Sequence, residues 1–366
     1  MALLVALGGA GAGAGCARAG GRAALEGAPG PVQETALALA ESGAGLEACD
    51  TVFALEHFVD VGDGAVLHVR EAFTLDSLLH WPRRALLMLT ATVVTNAQWN
   101  AAVPGDESFN ALARAAHAGF FAFAASYEGY GDSTIPDDGR TVTAERLLDE
   151  MGEVVDWIRA ERHLPRVDLL GASLGSALAV ALGGRHSSIN RHHVGRVVVT
   201  ANVYRGVRPE LAPFFFSPEL RMMLESAPGG YVTTGPEMYG LVLTAADPAA
   251  AAWAFGAFPG TYAVGPTLEG FDLPVFDAAD GRAPLLQIWG DADPITPLED
   301  VTAFQDEYGG DASLVVLAGG GHSPYYEPVR DTFWDETFAF LEADEGVLVT
   351  CAELVDALDG GGDDDD

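Results

Sequence analysis

The 366-residue chain predicts an α/β fold with a doubly wound, mostly parallel sheet. Three observations carry that reading. Short apolar runs alternate with segments of helical periodicity, the pattern of a parallel sheet clothed by helices. One such run, Val167-Asp168-Leu169-Leu170, leads through Gly171-Ala172-Ser173-Leu174-Gly175 into the helix-prone stretch Ser176 to Leu182. Two later runs each close on a glycine that an ionisable residue soon follows, Asp293 in one and His322 in the other.

The elements follow in order. Phe58-Val59-Asp60-Val61 and Ala65-Val66-Leu67-His68-Val69, joined by Gly62-Asp63-Gly64, predict an opening hairpin from their alternation and turn residues. Ala85 to Leu89 predicts a strand running into Thr90-Ala91-Thr92-Val93-Val94, and Phe120 to Ala125 predicts another. Thr141 to His163 carries Leu147, Leu148, Met151, Val154, Val155 and Ile158 at helical spacing, and Pro165 stops that helix before the next strand. Arg196 to Ala201 is the sixth strand. Residues 203–282 are too many for a simple crossover and predict a helical cap inserted between the sixth and seventh strands. Its aromatic and Met side chains, Phe214, Phe215, Phe216, Met222, Met223, Trp253 and Phe258 among them, suit either the cap's own core or an apolar substrate pocket. The organisation expected is a leader over 1–30, a core over 31–202, the cap over 203–282, the rest of the core over 283–343 and a C-terminal extension with an acidic tail over 344–366.

The pentapeptide around Ser173 is a nucleophile elbow in pattern. A serine hydroxyl is a weak nucleophile at neutral pH, so it must stand exposed on a sharp turn within reach of a base and of oxyanion donors. Glycines two residues to either side leave room for that turn, where a Cβ would collide with neighbouring backbone. The plain alternative is a glycine-rich turn whose serine caps a helix. A base is available: of 9 histidines only His322 lies beyond residue 193, at the end of Leu314-Val315-Val316-Leu317-Ala318-Gly319-Gly320-Gly321. Pro284-Leu285-Leu286-Gln287-Ile288-Trp289-Gly290 precedes two acids, Asp291 and Asp293.

Together these segments resemble the α/β-hydrolase fold superfamily, from about residue 57 to about residue 343. The order Ser, Asp, His is that family's order. The resemblance implies Ser173 as nucleophile, His322 as base and, from the spacing of Gly, two residues, Asp and Pro, Asp293 rather than Asp291 as the orienting acid. Gly129-Tyr130-Gly131-Asp132-Ser133 matches the loop after the family's fourth strand, although Ser126 stands where an Asp is usual. The loop after the third strand departs further, with Thr90-Ala91 in place of His-Gly. The resemblance implies oxyanion donors at the Leu174 amide and in the Ala91 to Val93 stretch, with Thr92 preferred and Ala91 and Val93 as neighbouring alternatives. It implies no cofactor and no metal.

Charge limits the partners. With 53 Asp and Glu against 19 basic residues, all of them Arg, the formal net charge is -34. Such a surface repels nucleic acid and anionic lipid headgroups, and the absence of lysine excludes Schiff-base chemistry. It is compatible with a salty habitat, where screening relieves self-repulsion. The acidic 360–366 stretch reads as a solvated tail without a geometry for calcium.

Met1 to Leu7 and the Ala/Gly-rich stretch up to Cys16 look like a signal segment without its positive residues. Gly13-Ala14-Gly15-Cys16 is similar to a bacterial lipoprotein box, which would make Cys16 a lipid anchor. Either places the protein among exported ones, periplasmic, lipid-anchored or secreted; a leader without a targeting role leaves it cytoplasmic. No run approaches the length of a membrane helix. In an oxidising compartment Cys49 and Cys351 would be free to staple the two terminal extensions. His192-His193 has no third ligand and reads as a loop pair rather than a metal site.

The function expected is a serine hydrolase cleaving carboxylic esters of small molecules, with an apolar portion in the substrate. Amide, peptide and thioester cleavage use the same residues. A hydrolase-fold binding protein without turnover is the alternative from another class, favoured only by the altered loop after the third strand.

Overall fold

The computed structural model of the chain describes residues 49–79, 83–184, 193–342 and 350–353. The leader, Cys16, His192 and the acidic tail lie outside the described residues. Eight strands form one sheet: β1 (Phe53–Asp60), β2 (Val66–Phe73), β3 (Arg84–Leu89), β4 (Phe120–Ala125), β5 (Val167–Ala172), β6 (Val194–Thr200), β9 (Leu285–Gly290) and β10 (Ala312–Leu317). Their spatial order is β1-β2-β4-β3-β5-β6-β9-β10. β2 runs antiparallel to both β1 and β4, and every other neighbouring pair is parallel. The register sets Leu89 beside Gly171 and Ala172 beside Thr200, so the C-terminal ends of β3, β5 and β6 share one edge.

Both faces of the sheet are covered, as continuous apolar strands require. Along β3, Leu87 and Leu89 pack in one core layer while Leu86 and Met88 pack in the other, the period of two expected of a strand. The first layer is closed by α3 (Ala144–Arg162) and α4 (Leu174–Gly183), which bury Leu147, Met151, Val155 and Leu178. The second is closed by α2 (Ala111–His117) and α10 (Arg330–Glu342) through Leu112, Phe333 and Trp334. Two further helices, α1 (Leu75–Leu79) and α9 (Leu298–Glu307), connect the sheet. α3 starts where its cap permits: Thr143 accepts the Arg146 amide, and His163 ends the helix at φ 54. β1 begins five residues earlier than its alternation predicts, because it is an edge strand, largely exposed, that is held by its ladder to β2 rather than by burial.

Between β6 and β9 the chain forms α5 (Ala212–Phe215), α6 (Pro218–Glu225), α7 (Pro248–Ala257) and α8 (Gly265–Glu269). This insertion is not purely helical. It also holds β7 (Tyr231–Thr233) and β8 (Thr261–Ala263), paired antiparallel. Its aromatic residues divide in two: Tyr239, Phe258 and Tyr262 are buried, whereas Phe214 is 62% and Met222 64% exposed. A disulfide joins Cys49 to Cys351 with their Cα atoms 5.5 Å apart, closing a sequence separation of 302. His193 pairs with Asp156 at 2.6 Å, and among the described residues no three His, Cys, Asp or Glu side chains gather as metal ligands would.

Candidate active site

Ser173 occupies the turn between β5 and α4 at φ 54 and ψ −117, a conformation that a non-glycine residue holds only when its surroundings impose it. The surroundings are legible. A Cβ on Gly171 would lie 2.2 Å from the Gly175 carbonyl oxygen, and one on Gly175 would lie 2.4 Å from the Leu89 carbonyl oxygen. The Ser173 amide donates to the Thr200 oxygen at 3.1 Å. Ser176 ties the turn down from beneath, its buried hydroxyl reaching the Gly171 and Thr200 oxygens, each at 2.8 Å. The Ser173 hydroxyl makes no capping bond to α4, which leaves it available for other chemistry.

Asp293 and His322 meet at the same edge, from the loops after β9 and β10. His322 Nδ1 lies 2.9 Å from Asp293 Oδ2 and 3.1 Å from Oδ1. The Ile295 and Thr296 amides donate to Oδ1 at 2.7 and 3.1 Å. Burial pushes the Asp293 carboxyl upward, but the charge and hydrogen bond of His322 and the two amides outweigh it, so the group is held below its ordinary value. Asp291 is exposed and instead accepts the Gly319 amide at 2.6 Å. No hydrogen bond joins the Ser173 hydroxyl to His322 among the described residues; apo geometries of this kind are often loose.

The loop after β3 is fixed by a residue the sequence did not single out. Gln98 Oε1 accepts the Ala91 amide at 2.8 Å, and its Nε2 donates to the Tyr325 hydroxyl at 2.7 Å, three residues beyond His322. Ala91 therefore has no free amide to offer. Val93 turns the chain at φ 55, and no hydrogen bond occupies the amides of Thr92 or Leu174 among the described residues. Ser126 fills the place of the usual Asp by accepting the Asn96 amide at 3.0 Å, and the Tyr127 hydroxyl donates to the Thr90 oxygen at 2.8 Å. Gln98 and Ser176 carry no sequence signal beyond being polar residues in apolar surroundings. Glu327 is the third such residue and lies directly beside His322.

The insertion touches all three loops. Tyr239 donates to the Val93 oxygen, Ser323 to the Val242 oxygen and Arg208 Nε to the Asp293 oxygen, at 2.9, 2.9 and 2.7 Å. A cavity of about 540 Å³ opens between it and the loops after β3 and β4, with Thr95, Gly131 and Ile135 on one side and Tyr231, Ala257 and residues 259–262 on the other. Ser173, Asp293 and His322 are not among its lining residues.

The doubly wound sheet, the elbow and the Asp–His pair at one edge define a protein of the hydrolase class. Residues 95–333 match the model of the alpha/beta hydrolase family, and the chain belongs to that family. The fold is shared with a thermophilic esterase from Thermogutta terrifontis at a TM-score of 0.54 and 14% identity over 80% of this chain and 100% of that one. It is shared with E-2-(acetamidomethylene)succinate hydrolase at 0.55 and 16%, over 79% and 98%. A thioesterase domain from the curacin biosynthetic pathway gives 0.53 and 13%, over 78% and 99%. No curated protein matches the chain in sequence.

Proposed function

We propose that this protein is a serine hydrolase that cleaves carboxylic esters of small molecules through an acyl-enzyme. The observation that carries the reading is the hydroxyl of Ser173, held at φ 54 without a capping bond at the edge where Asp293 pairs with His322. Ser173 Oγ attacks the acyl carbon as its proton passes to His322 Nε2. The C–O bond of the leaving group then breaks, and the same proton leaves with the alcohol. Water repeats the sequence in reverse: it gives its proton to His322, adds to the acyl carbon and releases the acid and the Ser173 hydroxyl. Asp293 holds the imidazole with its Nδ1 proton inward and stabilises the cation that forms.

The amides of Leu174 and Thr92 are the donors for the tetrahedral oxyanion, the first at the start of α4 where its backbone proton has no helical partner. A substrate with an apolar portion is supported by the aromatic side chains of the insertion, of which Tyr239 reaches the Val93 oxygen in the loop after β3. The Cys49–Cys351 disulfide supports export, since such bonds persist in oxidising compartments. The test is hydrolysis of p-nitrophenyl butyrate by the wild type and by Ser173→Ala. Turnover in the wild type that the variant lacks is expected; equal turnover in both, or none in a folded wild type, contradicts the reading.

A further inference from the structure

Glu327 is a carboxylate with 0% exposure in a chain whose acids are otherwise mostly at the surface. Its two oxygens are divided between the residues on either side of His322. Oε2 accepts the Gly321 amide and Oε1 accepts the Ser323 amide at 2.9 Å. A Cβ on Gly321 would come within 2.7 Å of Glu327 Oε1 and 2.9 Å of Ala245 Cβ, so the loop closes tightly onto this side chain. The 3-10 turn Pro324–Tyr326 brings Glu327 back under the histidine. A buried charge is retained at such a position only when its oxygens are hydrogen-bonded, and here the partners are the two amides that fix the path of the backbone through His322.

We propose that Glu327 is the positioning residue of His322, clamping the flanking amides so that the imidazole keeps its bond to Asp293 while Nε2 stays turned toward Ser173. The inference rests on the role given to His322 above. It goes beyond that role because nothing in the Ser, Asp and His set itself holds the histidine loop: Asp293 orients the ring, and Glu327 orients the backbone that carries it. The ionisable groups facing Glu327 are Asp293 from the loop after β9, and His322 and Tyr325 from its own loop. Burial raises the Glu327 carboxyl above its ordinary value and the Asp293 charge adds to the rise, while the two amides and His322 oppose it.

The test uses Glu327→Ala and Glu327→Gln in the full chain, with labelling of the wild type by a fluorophosphonate as the anchor. If the folded wild type is not labelled, the role of His322 has failed, not this proposal. With labelling present, Glu327→Ala is expected to lose about 100-fold in kcat on p-nitrophenyl butyrate with KM within about threefold, the scale of a misplacement near 1 Å. Glu327→Gln, able to accept one of the two amides, recovers about tenfold of that loss. The low-field proton NMR signal of the His322 Nδ1–H is sharp in the wild type and is broadened or lost in Glu327→Ala. Unchanged kcat in Glu327→Ala, or lost kcat with the signal intact, overturns the proposal. Should neither variant fold, Glu327→Asp decides: one methylene shorter, it cannot reach both the Gly321 and Ser323 amides, and it is expected to lower kcat by about tenfold with KM within about threefold. Unchanged kcat in that variant overturns it.

Discussion

Ser173 stores backbone strain that costs about 1–3 kcal/mol at a non-glycine residue, and the two glycines and Ser176 around it are what make the cost bearable. The same scale governs Asp293, whose oxygens are fully engaged by one imidazole and two amides. Asp293→Asn keeps the shape and loses the charge; it is expected to lower kcat for ester hydrolysis by about 10³–10⁴-fold with little change in KM, read from steady-state kinetics. Elsewhere a residue acts against the fold. Glu150, buried beside Glu128 and Arg146, is pushed up to about 8 by burial and by the Glu128 charge. The folded state therefore keeps a proton that the unfolded chain releases from the ordinary carboxylate range upward, so this group withdraws stability as pH rises toward that value. Between about pH 5 and about pH 9 the wild-type Tm should fall more than that of Glu150→Gln, and equal falls would show that the pair does not hold the proton.

At the scale of elements, the candidate site was legible wherever a strand end announces its residue. Gly171 to Gly175, Asp293 and His322 all follow apolar runs, and each run is a strand of the sheet. What the sequence left open sits in loops whose geometry comes from distant partners. Gln98 holds Ala91 across seven positions and Tyr325 across more than two hundred, and no periodicity marks such a contact. The insertion was misread in part for a similar reason: three-residue strands such as β7 are too short to alternate, and they form because each has the other to pair with. The elbow offers a clean test of packing between elements. Gly175→Ala brings a methyl to 2.4 Å from the Leu89 oxygen of β3 and is expected to cost about 1–3 kcal/mol or prevent folding, measured by urea unfolding.

The whole molecule combines a core sealed on both faces of the sheet with a surface of net charge -34. Repulsion among those charges opposes the compact state and is screened by salt, so Tm should rise between about 0.05 M and about 1 M NaCl, and a flat response would mean that the charge is locally balanced. The disulfide acts at the same scale. It closes a loop of 302 positions around nearly the entire sheet, and Cys49→Ser is expected to lower stability by about 2–5 kcal/mol in denaturant unfolding without altering the geometry at Ser173. Cysteine count made that pair thinkable; only the approach of the two cysteine Cα atoms to 5.5 Å makes it a bond.

In the mechanism we propose, strain, base and orienting acid act on the Ser173 hydroxyl oxygen, and a fluorophosphonate reads that oxygen directly. Treated with such a probe, the folded wild-type protein should carry the phosphonyl group on the peptide containing Ser173, and Ser173→Ala and His322→Ala should carry none. A folded wild type that stays unlabelled, or a label found on another residue, would contradict the assignment of Ser173 as the nucleophile.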